Sequence, residues 1–199
     1  MNKYLIPVLI IFIMSCTGQR VLEHKQEWYD SKKTQIKKDF YTIKIDKHQA
    51  IIQGEYKEYY ENGRVKILGY YDSNKKDGIF KKYDHEGFII TEQHYNCDKL
   101  DSVSRDYYPK GKVKLECSYK KGVLDGPMME YFENGNICKL INIKKGVKQG
   151  ESKLFYITGK LQAILNYKDG RLDGTLSSFD TLGNIVTKKY YKEGTVLEK

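Results

Sequence analysis

Tryptophan occurs once, proline three times and histidine four times. So few prolines exclude a Pro-rich linker or tail. Cys97, Cys117 and Cys138 are odd in number, and no C-x-x-C or Cys/His spacing suggests a zinc site. No run of five or more basic residues occurs, so the net charge of +9 is carried by interspersed Lys and Glu as a solvated surface. There is no Gly-rich phosphate loop and no defensible Ser/His/Asp order. At 40% the apolar fraction is low and at 31% the charged fraction is high, which points to a modest core. Against these absences stand 18 tyrosines and 17 glycines. Tyrosine suits a pleated surface buried on one side, because its ring packs while its hydroxyl stays wet.

The opening stretch MNKYLIPVLIIFIMSC is different material from the rest. Lys3 and the amino terminus precede an apolar run from Leu5 to Met14. That run is too short to span a bilayer, which needs roughly 20 residues, and it has the form of a secretory signal peptide over residues 1–15. Ile13-Met14-Ser15-Cys16 resembles the bacterial lipobox. The resemblance implies cleavage before Cys16, lipidation of that cysteine and anchoring to a membrane of the bacterial cell envelope. The mature chain loses only Lys3 and so carries +8, one less than the +9 of the whole.

Fifteen of the 17 glycines lie on one 24-residue lattice. Gly54, Gly78, Gly126, Gly150 and Gly174 form a series in which Ser102 fills the gap. A second series is Gly63, Gly87, Gly111, Gly135, Gly159 and Gly183, and a third runs from Gly122 to Gly194. The sixth position of each repeat is aromatic (Tyr59, Tyr83, Tyr107, Tyr131, Phe155, Phe179) and the twelfth aliphatic (Val65, Ile89, Val113, Ile137, Leu161, Ile185). Each repeat reads as a β-hairpin. A polar-aromatic strand meets a turn such as Glu61-Asn62-Gly63, and an alternating strand follows, with Val113, Leu115, Cys117 and Tyr119 on one side. A lone hairpin cannot bury its apolar face, so the six must pair side by side. The aromatic sixth positions are expected to line up as a ladder.

The expected fold is all-β: an elongated antiparallel sheet or solenoid of about six 24-residue hairpin repeats. Residues 54–199 hold the repeats, with Lys188 to Lys199 capping the end. Residues 16–53 are expected to supply a lipid-anchored tether over 17–38 and a degenerate capping repeat beginning near Asp30, with Asp39 at the position of a turn glycine. Cys117 and Cys138 fall on second strands of consecutive repeats, about 9.6 Å apart and beyond the roughly 7 Å reach of a disulfide. Three free thiols are expected.

Gly54 to Val65 (GEYKEYYENGRV), Tyr131 to Ile137 (YFENGNI) and Asp169 to Gly174 (DGRLDG) resemble the bacterial variant of the MORN repeat, with six in-phase copies over about residues 54–197. The resemblance implies an elongated antiparallel sheet and a scaffold found in proteins of many roles, among them YwqK-type antitoxins and lipoproteins. Chemistry is not expected. Asp84-His85-Glu86 looks metal-like but occupies a turn, and the carboxylates Glu58 and Glu61 do not recur across the repeats as a set. The sequence therefore predicts no catalytic residue, no metal, no cofactor and no nucleic-acid partner. It predicts a non-catalytic, membrane-anchored scaffold for a protein partner. An antitoxin or immunity protein neutralising a partner toxin is the alternative, and a basic face lying on anionic lipid is a third reading.

Overall fold

The computed structural model describes residues 11–13 and 20–197, among which there is no helix. Every strand pairing is antiparallel. This is the expected all-β hairpin architecture, divided between two compact units: one runs to Ile89 and takes in Tyr95–Lys99, the other holds Ile90–His94 and everything from Leu100. The first unit contains β1 (Ile11–Ile13), β2 (Arg20–Trp28), β3 (Ile36–Lys44), β4 (Ala50–Tyr59), β5 (Val65–Asp72), β6 (Lys75–Lys76) and β7 (Gly78–Tyr83). Most of β8 (Ile89–Asn96) belongs to the second, β9 (Lys99–Leu100) is divided between the two, and the second also holds β10 (Ser102–Tyr107), β11 (Val113–Lys120), β12 (Val123–Tyr131) and β13 (Ile137–Lys144). It continues through β14 (Val147–Phe155), β15 (Leu161–Lys168), β16 (Arg171–Leu172), β17 (Gly174–Phe179), β18 (Ile185–Lys192) and β19 (Thr195–Leu197).

The lattice has a direct structural meaning. The aromatic sixth position pairs across the hairpin with the aliphatic twelfth: Tyr59 with Val65, Tyr107 with Val113, Tyr131 with Ile137, Phe155 with Leu161, Phe179 with Ile185. At each of these pairs the register shifts by a β-bulge, which strengthens the local twist. The first-series position has positive φ in every repeat, including Ser102 at +77°. A side chain at such a φ costs about 1–2 kcal/mol, of which the extra freedom of glycine in the unfolded chain cancels about 0.5–1 kcal/mol. Ser102→Gly should therefore stabilise the second unit by about 0.5–1 kcal/mol, read as a higher urea midpoint.

The core of each unit is a cross-strand row on one face. In the first unit it runs Phe40, Tyr56, Gly69, then Phe80, whose ring covers Gly69. Ring contacts extend the row edge to face: Tyr56 on Tyr71 at 5.2 Å, Tyr71 on Phe80 at 5.3 Å, Phe80 on Tyr95 at 5.4 Å. The ring-to-ring ladder is thus built from the third and eighteenth positions, whereas the sixth-position aromatics from Tyr59 to Phe179 sit half-buried beside their bulges. In the second unit the row runs Cys117, Met128, Ile141, Ser152, Leu165. Ser152, only 2% exposed, keeps a hydroxyl without a hydrogen-bond partner. The expected alternation along β11 holds, with Cys117 buried and Lys112 and Lys114 exposed.

The two ends differ from expectation. Residues 20–28 are not a tether: they form β2, paired along its length with β3. Asp39 lies mid-strand in β3 rather than in a turn, facing Gln26 and Lys57. The degenerate repeat exists, but it starts earlier. Trp28 pairs with Ile36 beside a bulge, as Tyr59 pairs with Val65. Its turn and the loop after β3 are longer than in the other repeats, which throws it off the 24-residue lattice. Residues 11–13, from the apolar leader, pair with 20–22 at the edge of β2. At the other end, β19 covers only Tyr190–Lys192 of β18, so the expected cap is partial, and Ile185 and Val186 are 61% and 66% exposed.

Candidate functional site

The hairpins have two sets of turns, and they use their polar side chains differently. At the first set, the residue opening the turn donates its N–H to the residue closing it, as Tyr60 does to the Arg64 carbonyl at 2.9 Å, and the lattice glycine donates back, Gly63 to Tyr60 at 2.9 Å. Where the opening residue is tyrosine, its hydroxyl reaches the sixth-position carbonyl of the next repeat. Tyr60 donates to Tyr83, Tyr108 to Tyr131 and Tyr156 to Phe179, each at 2.8 Å, and Tyr29 does the same to Tyr59 at 2.7 Å. Where it is aspartate, the carboxylate instead binds its own turn: Asp84 accepts from the Glu86 and Phe88 amides, Asp180 from those of Leu182 and Asn184. The Asn184 side chain and these amides hold the Asp180 carboxyl below the usual range. Other polar groups here also cross to the next turn. Arg64 and Asn62 donate to the His85 carbonyl, Lys112 to Glu133 and Lys160 to Thr181.

At the second set, the last position of a repeat accepts the amide that opens the following turn. Gln53 receives the Ser73 N–H, Asp101 that of Lys121, Gln149 that of Asp169 and Asp173 that of Glu193. That bond, with the Lys192 ammonium, keeps the Asp173 carboxyl depressed.

The polar groups that suggested chemistry are occupied otherwise. Asp84 serves its own turn, the His85 ring stacks on Tyr60 at 3.7 Å, and Glu86 is exposed. Glu58 accepts from Lys66 Nζ at 2.7 Å, and Glu61 sits exposed on a turn. Among the described residues no group of three or more His, Cys, Asp or Glu converges as a metal would require. A groove of ≈ 620 Å³ in the first unit is lined by Lys57, Arg64, Val65, Leu68 and Tyr83. Cys97, Cys117 and Cys138 are unpaired, and burial pushes the Cys117 and Cys138 thiols up, away from nucleophilic use. Cys16, the expected lipidation site, lies outside the described residues, and so does most of the leader.

Strands joined to the next strand in the chain or the next but one, turns bonded tip to tip and no convergent reactive groups among the described residues define an all-β repeat protein, an architecture that is typically non-catalytic. Residues 52–73, 100–121, 124–145 and 148–169 match the family model of the MORN repeat variant, four segments similar to that repeat. Such repeats suit contact with protein or membrane. No curated protein matches the chain. The two lattice hairpins outside the match, beginning at Gly78 and Gly174, are those whose first turn opens with Asp84 and Asp180. The tyrosine hydroxyl bridge was not read from the sequence, although an aromatic after the sixth position in four of six repeats was a visible signal.

Proposed function

We propose that the protein is a non-catalytic repeat lipoprotein of a bacterial cell envelope, held to a membrane through Cys16 and presenting its hairpins to a protein partner. One observation carries the interaction part. The first and eighteenth positions pair as Gly54–Tyr71, Ser102–Tyr119, Gly126–Ile143, Gly150–Tyr167 and Gly174–Tyr191, a nearly constant set. The adjacent pairs point to the opposite face and differ in every repeat: Glu55–Tyr70, Val103–Ser118, Pro127–Asn142, Glu151–Asn166, Thr175–Tyr190. The first and eighteenth positions are held nearly constant by folding requirements, while the adjacent pairs on the opposite face are free to vary, as a recognition surface needs. The leader pattern ending Ile13-Met14-Ser15-Cys16 supports the anchor.

Metabolic labelling tests the anchor. The wild type should incorporate palmitate and sediment with membranes, whereas Cys16→Ser should lose the label and move to the soluble fraction. A Cys16→Ser protein that still carries label would sink the anchor assignment.

A further inference from the structure

We propose that the turn edge bearing Lys120, Lys121, Lys144 and Lys145 is a docking surface, and that it takes an acidic, partly apolar segment of a partner protein. This rests on the interaction reading above and names the chemistry of the partner.

In sequence order, the corresponding turns of the chain carry Asp72-Ser73, Asn96-Cys97, Lys120-Lys121, Lys144-Lys145, Lys168-Asp169 and Lys192-Glu193, the last four of them in the second unit. The second residue of every pair has φ between +48° and +52°. At such a φ glycine or asparagine is the low-cost choice, and the turn accepts five residue types, so its geometry does not ask for lysine. Nor do the lysines serve the fold. On the opposite edge Lys112 and Lys160 hold neighbouring carbonyls, whereas none of these four ammonium groups has an ion-pair partner among the described residues, and all four residues are exposed.

Each lysine pair is followed by an exposed valine, Val123 at 47% and Val147 at 41%. The valines lean on the next tip: a Cβ added at Gly146 would lie 3.8 Å from Val123 Cγ1, and one at Gly170 3.2 Å from Val147 Cγ1. Lysine pairs and valines therefore form one continuous strip. Backbone bonds between tips hold it, from Gly122 N–H to the Leu100 carbonyl at 2.7 Å, Gly146 to Leu124 at 2.7 Å and Gly170 to Lys148 at 3.0 Å. Such a surface loses little freedom on binding. Consecutive tips stand two strand spacings, about 9.6 Å, apart, a span that about three residues of extended chain cover. A polyanion without apolar groups would leave the valines unused. A peptide carrying Asp or Glu about every third residue with aliphatic side chains between them uses both.

The test is a peptide-display selection against the full chain, followed by affinity measurements on a selected synthetic peptide. Recovered sequences should be rich in Asp and Glu interleaved with aliphatic residues. Binding should weaken with salt, fall roughly tenfold or more in the Lys120→Gln/Lys121→Gln/Lys144→Gln/Lys145→Gln variant, and survive Lys110→Gln/Lys112→Gln on the other edge. Lys121→Gly/Lys145→Gly removes two charges while suiting the backbone, and should weaken binding in the same direction with folding intact. Selected peptides without acidic enrichment, or equal binding by the charge variants, overturn the proposal. So does a chain that binds phosphatidylglycerol vesicles and no peptide. An envelope protein crosslinked equally by wild type and the four-lysine variant would remove this edge while leaving the interaction reading in place.

Discussion

Gly69→Ala is expected to destabilise the first unit by about 3 kcal/mol, the upper end for overpacking. A methyl there would lie 2.6 Å from Phe80 Cζ and closer still to Cδ1 and Cε1. The ring has nowhere to go: Phe80 is 6% exposed, with Tyr71 and Tyr95 edge-on at either side and the Lys76 ammonium 5.1 Å from its centroid. An aromatic laid over a cross-strand glycine is a known way to pin sheet register. Phe80→Ala alone should cost about 3–5 kcal/mol. In that background Gly69→Ala should be close to neutral, because the space it needs has been vacated. Urea unfolding of the four proteins forms a double-mutant cycle. Simple additivity would mean that the two residues do not share that space.

Removing three hydroxyls, as Tyr60→Phe/Tyr108→Phe/Tyr156→Phe, is expected to lower stability by about 3 kcal/mol, roughly 1 kcal/mol for each neutral hydrogen bond lost. Each bond ties one repeat's turn to the sixth-position carbonyl of the next repeat, so the loss falls on the junctions between repeats, the term that governs such chains. The sites share no partner, and the three single variants should sum to the triple in thermal or urea unfolding. A triple variant as stable as wild type would show that water replaces the bridges without cost.

Most of the lattice was legible because each recurring residue answers a fixed local demand. The first-series position needs positive φ, the aromatic and aliphatic positions meet across a bulge, and the closing Asp or Gln accepts a turn amide. What escaped were features defined by two residues at different phases. Gly69 lies off the glycine lattice and has meaning only beside Phe80, and Tyr60 has meaning only through the carbonyl of Tyr83. The N-terminal hairpin was expected but placed too late, because its longer loops break the period. Tyr29 reaches Tyr59 across 30 residues, whereas Tyr60 reaches Tyr83 across 23, and a search for a fixed spacing passes over it. The lysine edge was hidden for another reason: two lysine pairs 24 residues apart in the sequence come side by side only once the turns are stacked.

The backbone bonds between tips of the second set of turns run from each repeat to the one before it: Gly122 to Leu100, Gly146 to Leu124, Gly170 to Lys148, Gly194 to Leu172. No internal repeat is a keystone. A cut between Asp125 and Gly126 and another between Gln149 and Gly150 would excise one unit and leave a junction of the same kind, Asp before Gly, with the same neighbours to bond. Length is thus a quantity this architecture leaves unspecified. Copies can be gained or lost without redesign of the whole, and each carries its own variable pair and its own turn tip with it.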